Sequence, residues 1–328
     1  MTKIAVLDDW QGIAADAADW SAVRAKAEIT FFRDAFPTED ALVRALAGYD
    51  IVLAMRERSR LMKPVIDRLP KLKLLCFTGA RNASVDVAAC TARGVTVCNT
   101  VGNRTSHATA ELALTLLLAA ARRIPLGDAE TRAGRFQHNV PPGIEMYGRT
   151  LGIIGLGHIG GRVASYAKAL GMDVLAWSQN LTDERARAVG ATKVTKDELL
   201  ARSDAVTIHL VLSDRTRGLI GAGELAKMKR GAILVNTSRG PIVDTAALVA
   251  ALNHQTIIAA IDVYDQEPLP AGHPLLSAPN TVLSPHLGYV TEDGMCDFYD
   301  LLVEDVLAWL AGKPIRVVNP ETLAARKA

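Results

Sequence analysis

The sequence predicts an α/β protein with two doubly wound parallel sheets. Three observations carry that prediction. The chain has 328 residues, and at roughly 100–200 residues per domain this means two domains. Two series of short apolar, β-branched runs alternate with helical patterns, the signature of parallel βαβ units buried on both faces. A stretch carrying Gly127, Gly134, Pro141, Pro142, Gly143 and Gly148 separates the two series.

In the first series, strands are expected at Lys3–Asp9, Glu28–Phe32, Asp50–Met55, Leu72–Gly79 and Val95–Thr100. Thr38–Gly48 reads as a helix, with Thr38 as N-cap, Glu39 and Asp40 in the first turn and Gly48 as the stop. Thr105–Arg123 reads as one long apolar helix ended by Pro125, followed by about 25 residues of loop or arm. The second series has strands at Thr150–Gly155, Asp173–Trp177, Asp204–Leu210, Ala232–Thr237, Ile257–Tyr264 and Thr281–His286. Thr291–Gly312 closes it as an amphipathic helix, with Glu292 and Asp293 favourably placed near the positive end of its dipole.

Composition excludes several classes. Apolar residues make up 49% and charged residues 22%, an ordinary globular balance that rules out whole-chain disorder. Lys plus Arg total 37 against 35 Asp plus Glu, so the net charge of +2 lacks the basic footprint of a nucleic-acid binder. Four separate cysteines with no CxxC pair suit reduced thiols in the cytoplasm, and no metal ligand set is expected. The opening MTKIAVLDDW does not read as a secretory signal. The most apolar run, Ala108–Ala121, is about 14 residues, short of the roughly 20 needed to span a bilayer.

The chemistry begins at Gly155, Gly157 and Gly160, a G-x-G-x-x-G turn between an apolar strand and a helix. The first glycine allows the tight turn, the second lets a pyrophosphate approach the backbone, and the third lets helix and strand pack closely. The N–H groups of His158 and Ile159 at the helix start face the phosphate charge. A carboxylate about 20 residues on would bind the ribose hydroxyls of NAD. Here the second strand ends Trp177-Ser178-Gln179-Asn180, so Ser178 takes that place and NAD(H) and NADP(H) are both admissible. No Arg follows immediately, and Arg185 and Arg187 read as solvated charges on a helix.

Three further motifs end strands of the second series: Asn236-Thr237-Ser238-Arg239-Gly240, Asp262-Val263-Tyr264-Asp265-Gln266-Glu267-Pro268 and Ser284-Pro285-His286-Leu287-Gly288-Tyr289. Ligands of open α/β sheets bind outside the carboxyl ends of the strands, so these motifs share an edge with the glycine turn. Taken singly, Arg239 is a surface charge, Glu267 a solvated acid and His286 a structural imidazole. Together they suit hydride transfer to a 2-keto acid. The Arg fork holds a carboxylate and polarises a carbonyl. The His gives a proton near neutral pH, and the acid beside it favours imidazolium and orients the ring.

With these motifs the chain resembles the D-isomer-specific 2-hydroxyacid dehydrogenases, which include phosphoglycerate dehydrogenases and glyoxylate/hydroxypyruvate reductases, over essentially its whole length. The resemblance implies a Rossmann cofactor domain, about 101–289, inserted in a flavodoxin-like substrate domain built from about 1–100 and 290–328. It implies Arg239, Glu267 and His286 as catalytic residues. Asp262 would hold the nicotinamide carboxamide, helped by the Thr237 backbone, and Leu210 and Val211 would pack on adenine. Gly288 joins the cofactor-binding set, and Arg56, Ala83 and Ser84 face the substrate. It also implies a homodimer formed through the cofactor domain and the arm.

Three positions depart from the family pattern: Ser84 where Gly is usual, Val211 where Pro is frequent, and Tyr289 where a small residue follows His-x-Gly. Tyr289 reads either as a residue that narrows the pocket or adds a hydroxyl donor, or as a packing aromatic at a helix start. Glu267 disfavours a formate-dehydrogenase-like activity, since that branch carries Gln there. The competing reading from another class is a cofactor-sensing, corepressor-like regulator on the same fold. Nothing in the sequence selects one 2-hydroxy acid.

Overall fold

In a computed structural model, residues 1–102 and 105–324 are described. The chain divides into two compact units, Met1–Arg104 with Thr291–Ala328, and Thr105–Val290 between them in sequence.

The outer unit holds β1 (Thr2–Val6), β2 (Ala27–Phe31), β3 (Ile51–Ala54), β4 (Leu74–Thr78) and β5 (Thr96–Thr100) in the order β2-β1-β3-β4-β5, all parallel. This is the flavodoxin-like order, with its switch point between β1 and β3. Ile51 to Ala54 and Leu74 to Thr78 are buried throughout, as expected of strands covered on both faces. Thr38 caps helix Glu39–Leu46 by accepting from the Ala41 N–H, and Thr291 caps helix Glu292–Leu310 by accepting from Gly294 N–H. Each cap satisfies an orphan donor and contributes about 1 kcal/mol.

The inserted unit holds β6 (Thr150–Ile154), β7 (Asp173–Trp177), β8 (Thr192–Lys193), β9 (Ala205–Ile208), β10 (Ala232–Asn236), β11 (Ile257–Ile261) and β12 (Thr281–Leu283). Their order is β12-β11-β10-β9-β6-β7-β8, again all parallel. From β8 to β11 this is the Rossmann arrangement, with one further strand at the edge, and its switch point lies between β6 and β9. Helix Thr105–Ala121 lays Ala110, Ala113, Leu116, Leu117 and Ala120 into the core, a 3–4 residue spacing that forms one apolar face.

Two expectations are corrected. The long helix does not continue to Arg123: it ends at Ala121, and a second helix, Ile124–Arg132, occupies part of the expected arm. Pro125 starts this helix instead of ending the previous one. Its missing N–H falls in the first turn, where no intrahelical partner exists, so the ring costs no hydrogen bond. Arg123, at φ 56°, makes the break between them, and its guanidinium donates to Asn280 Oδ1 at 3.2 Å. The strands of the second series also end one to three residues earlier than expected, except β7. The apolar residues beyond them belong to the loops that carry the site. The two-residue β8 was too short to read from periodicity.

Asp8, just beyond β1, is fully buried, with Oδ1 accepting from Ser59 Oγ at 2.8 Å and Oδ2 left without a partner. Burial pushes its carboxyl up to about 6 against these contacts and the nearby Arg58. A raised carboxyl opposes folding in its charged form. The penalty is absent below the unfolded value near 4 and grows to its full size, about 3 kcal/mol, once pH passes about 6. Asp8→Asn has no such titration. Its stability relative to the native chain, measured by urea unfolding, should therefore rise by about 2–3 kcal/mol between pH 4 and pH 7. A difference that stays flat across that range would contradict a strained charge at Asp8.

Candidate active site

The carboxyl ends of β6, β7, β9, β10, β11 and β12 lie along one edge of the inserted sheet. Gly155 follows β6 with φ 102°, and its N–H donates to Trp177 O at 2.8 Å. A Cβ at Gly155 would fall on the His209 carbonyl, and one at Gly160 would fall on the Gly155 carbonyl. Both positions are closed to larger residues by backbone. Gly157 is different: a Cβ there would meet nothing within 4 Å. Gly157 is the N-cap of helix His158–Ala169, and no side chain caps the first N–H groups. An open space over an uncapped helix start is what a dinucleotide pyrophosphate requires, so the residues present fit that cofactor.

The next loop carries Thr237 and Arg239. Asn236 shapes it from both ends, accepting the Ser238 N–H at 3.0 Å and donating from Nδ2 to Arg239 O at 3.0 Å. Ser238 Oγ donates to Ile208 O at 2.7 Å and ties the loop to β9. Thr237 Oγ1 is buried without a partner, an orphan polar atom on the cofactor edge. Arg239 Nη1 donates to Ser238 O at 2.7 Å. A Cβ on Gly240 would strike the backbone of Tyr264 and Asp265, so this loop packs flush against the loop bearing Glu267.

His286 and Glu267 meet directly, His286 Nδ1 lying 2.6 Å from Glu267 Oε2. Glu267 Oε1 accepts the Tyr264 N–H at 2.8 Å, so both carboxylate oxygens are engaged. His286 adopts φ 57°, a left-handed backbone uncommon for a residue with a Cβ. The cause lies in Asp262, which is fully buried at the end of β11. Its Oδ1 accepts from Ser284 Oγ at 2.6 Å and Leu287 N–H at 2.8 Å, and its Oδ2 accepts from Gly288 N–H at 3.0 Å. Burial pushes the Asp262 carboxyl up, and these bonds with the nearby His286 oppose that rise. Three of about four acceptor positions on Asp262 therefore hold the His286 loop.

Tyr289 is 6% exposed, and its ring meets the His286 ring edge-on at 5.6 Å. Leu210 is half-buried against the core, while Val211 is 75% exposed on the rim. Ser178 is half-buried at the end of β7. Arg56, Ala83 and Ser84 belong to the outer unit. Arg56 has φ 53°, donates its N–H to Thr78 Oγ1 at 2.9 Å, and accepts from Asn82 Nδ2 on its carbonyl. Ser84 N–H donates to Asn82 Oδ1 at 2.8 Å, and Ala83 between them is exposed.

Two features of the site were missed in the sequence. His209, at the end of β9, has Nε2 2.9 Å from Thr207 Oγ1 and Nδ1 buried without a partner. Burial lowers it to about 3, which keeps the ring neutral. Its place at a strand end beside the glycine turn was the available signal. The second is Arg215, whose Nη1 donates to Gln179 Oε1 at 3.2 Å from 36 residues away, a contact no local pattern announces.

The family model for D-isomer specific 2-hydroxyacid dehydrogenase, NAD binding domain, matches residues 114–288. The chain belongs to the D-isomer-specific 2-hydroxyacid dehydrogenase family. Its cofactor is NAD(H) or NADP(H). Among its relatives, D-3-phosphoglycerate dehydrogenase from Archaeoglobus fulgidus is 38% identical over 280 residues, 85% of this chain and 53% of the relative. The chain thus spans about half the length of that relative. Glyoxylate reductase from Aeropyrum pernix is 40% identical over 272 residues, 80% of this chain and 81% of the relative. The crystal structure of a phosphoglycerate oxidoreductase from Vibrio cholerae o395 superposes with a TM-score of 0.89 at 35% identity, covering 95% of this chain and 99% of that one.

The glycines separate folding from binding. Gly157→Ala should leave the melting temperature within about 2 °C, since its Cβ enters open space, yet weaken dinucleotide binding by about tenfold or more. Gly160→Ala should instead cost about 1–3 kcal/mol of stability, because the Gly155 carbonyl must move. Thermal melts and cofactor titrations on both variants check this; equal losses of stability would contradict the assignment.

Proposed function

We propose that this chain reduces a small 2-keto acid to the D-2-hydroxy acid with NAD(P)H, and oxidises the hydroxy acid in the reverse direction. The observation that carries the reading is the 2.6 Å His286–Glu267 contact on the same edge as the open glycine turn. The nicotinamide, when bound, supplies the hydride. His286 donates the proton from Nε2 to the substrate oxygen as negative charge develops there. Its Nδ1–H is committed to Glu267, which fixes the tautomer and orients the ring. Arg239 takes the substrate carboxylate through its planar fork and polarises the adjacent carbonyl. Keto acid, reduced cofactor and one proton give hydroxy acid and oxidised cofactor, so electrons and protons balance.

Asp262 serves by holding the 284–288 segment, and its remaining acceptor position with Thr237 suits the carboxamide. Gly288 is part of the same clasp. Tyr289 buttresses the His286 ring and narrows the space beside it. A substrate role for Arg56, Ala83 and Ser84 rests on the family resemblance. The reading includes a cytoplasmic homodimer. Exposed Ile124, Leu126, Phe136 and Tyr147 in the 124–147 segment support a subunit contact there. Among the described residues, no helix is long and apolar enough to cross a membrane.

A panel of glyoxylate, hydroxypyruvate, pyruvate and phenylpyruvate with NADH and NADPH tests the reading, and absence of reduction with every pair would overturn it. His286→Ala should lower kcat by about 10²–10⁴-fold while cofactor binding persists. A variant with near-normal kcat would remove His286 from the proton transfer. Glu267→Gln removes the carboxylate that holds the His286 ring, so kcat should fall by about tenfold or more while cofactor binding persists. A kcat near the native value would show that this contact does not position His286 during catalysis.

A further inference from the structure

We infer that the adenosine end of the site is built for the 2′-phosphate of NADP(H), held by Ser178, Arg185 and Arg215. The inference rests on the dinucleotide-dependent reading above and deepens it by selecting the cofactor.

The placement starts from the sheet. β6 and β7 are neighbours, Ile154 pairing with Trp177, and the Gly155 N–H donates to Trp177 O at 2.8 Å. Residue 178 therefore sits beside the glycine turn, where an acidic side chain would receive the ribose hydroxyls of NAD. The residues from Ser178 to Thr182 include no acid. The first carboxylate beyond them, Asp183, lies 3.6 Å from the Lys193 ammonium, and Glu184 is exposed on the same short helix. Nothing at position 178 itself repels a phosphate.

Two guanidinium groups reach this place from different elements. Arg185, exposed on the helix after β7, has its Nη2 3.5 Å from the Leu156 carbonyl in the glycine turn. Arg215, in the loop after β9, donates from Nη1 to Gln179 Oε1 at 3.2 Å. Each is thus tied to a loop leaving one of two adjacent strands. Both hold only neutral oxygens: among the described residues neither has a carboxylate within 4 Å. The other surface pairs show the contrast, since Lys196, Lys227 and Lys229 each hold an acid within 3.0 Å. Two guanidinium groups without a carboxylate partner, one on Gln179 next to Ser178 and one on the glycine turn, match a phosphate dianion. Arg binds such oxygens through paired N–H groups, and charge-assisted bonds exceed those to a neutral carbonyl.

The test is the ratio Kd(NADH)/Kd(NADPH) of the purified chain, read by cofactor fluorescence without substrate. We expect a ratio of about ten or more in the native chain. It should decrease between roughly 50 and 300 mM salt, because the cations are exposed and screened. The Arg185→Gln/Arg215→Gln double variant should bring it close to one, and Ser178→Asp should invert it. In competition, 2′,5′-ADP should displace NADPH about tenfold more effectively than 5′-AMP. A native ratio at or below one, or a ratio unmoved in the double variant, overturns the inference. If NADH is preferred and keto acids are reduced, the 2′-phosphate site fails while the dehydrogenase reading stands. If NADPH is preferred and no keto acid is reduced, the reverse holds. If neither dinucleotide binds, both fail.

Discussion

The buried carboxylate of Asp262 is the constraint on which the candidate site depends. It lies at the end of a fully buried strand, so its charge or its proton must be matched by nearby donors. The donors it finds are Ser284 Oγ and the N–H groups of Leu287 and Gly288, all within one turn of chain. Meeting those donors bends the loop so that His286 takes a left-handed backbone, and that conformation presents Nδ1 to Glu267. The strain at His286 is offset by hydrogen bonds made elsewhere, as expected where surrounding structure over-determines a residue. Tyr264 closes the arrangement from the other side. Its backbone N–H holds Glu267, and its hydroxyl donates within reach of the Ile261 and Ser284 carbonyls. Burial and the neighbouring carboxylates push that hydroxyl up to about 12, so it remains a donor throughout the working pH range.

Glycine governs how closely the loops of this edge approach. Gly155, Gly160 and Gly240 are all positions where an added methyl meets backbone, so they bring chain segments together. Gly157 meets nothing, and its value lies in what it leaves empty. One short motif thus combines two physical requirements, close packing of the fold and open access for a ligand. The two can be separated only by asking what each missing Cβ would touch.

The sheets and the motifs at the strand ends were legible because they depend on local patterns. Buried strands read as apolar runs such as Ile257–Ile261, and the glycine spacing and strand-end motifs are short-range features. What stayed hidden depends on tertiary contact. The break at Arg123 requires a residue to leave the helical region without Gly, and no local rule marks it. Pro125 is ambiguous by itself, since the same ring ends one helix or begins another. Arg185 is exposed, as the sequence suggested, while its contact with the Leu156 carbonyl, 29 residues away, follows from no local pattern. Asp262 was read for the ligand it might touch, whereas three of its contacts are to the loop that carries His286. Tyr289 was open between two readings; its burial and edge contact with His286 support packing, without removing it from the edge of the site.

The chain uses the same doubly wound plan twice, and the ends of the two first strands show why only one suits a dinucleotide. After β6 come glycines, an open helix start and no side chain to occupy the switch point. After β1 come Asp8 and Asp9, both buried. Asp9 Oδ1 accepts the N–H groups of Ile13 and Ala14, satisfying donors that a phosphate would otherwise take. Asp8 adds a second carboxyl, and Arg58 is committed to the Asp8 carbonyl at 2.6 Å and Gln11 Oε1 at 3.1 Å. Acidic side chains at a switch point oppose an anionic ligand by charge and by filling the space. Topology offers a crevice at both places; the residues after the first strand decide whether it is open to phosphate or already satisfied by the protein itself.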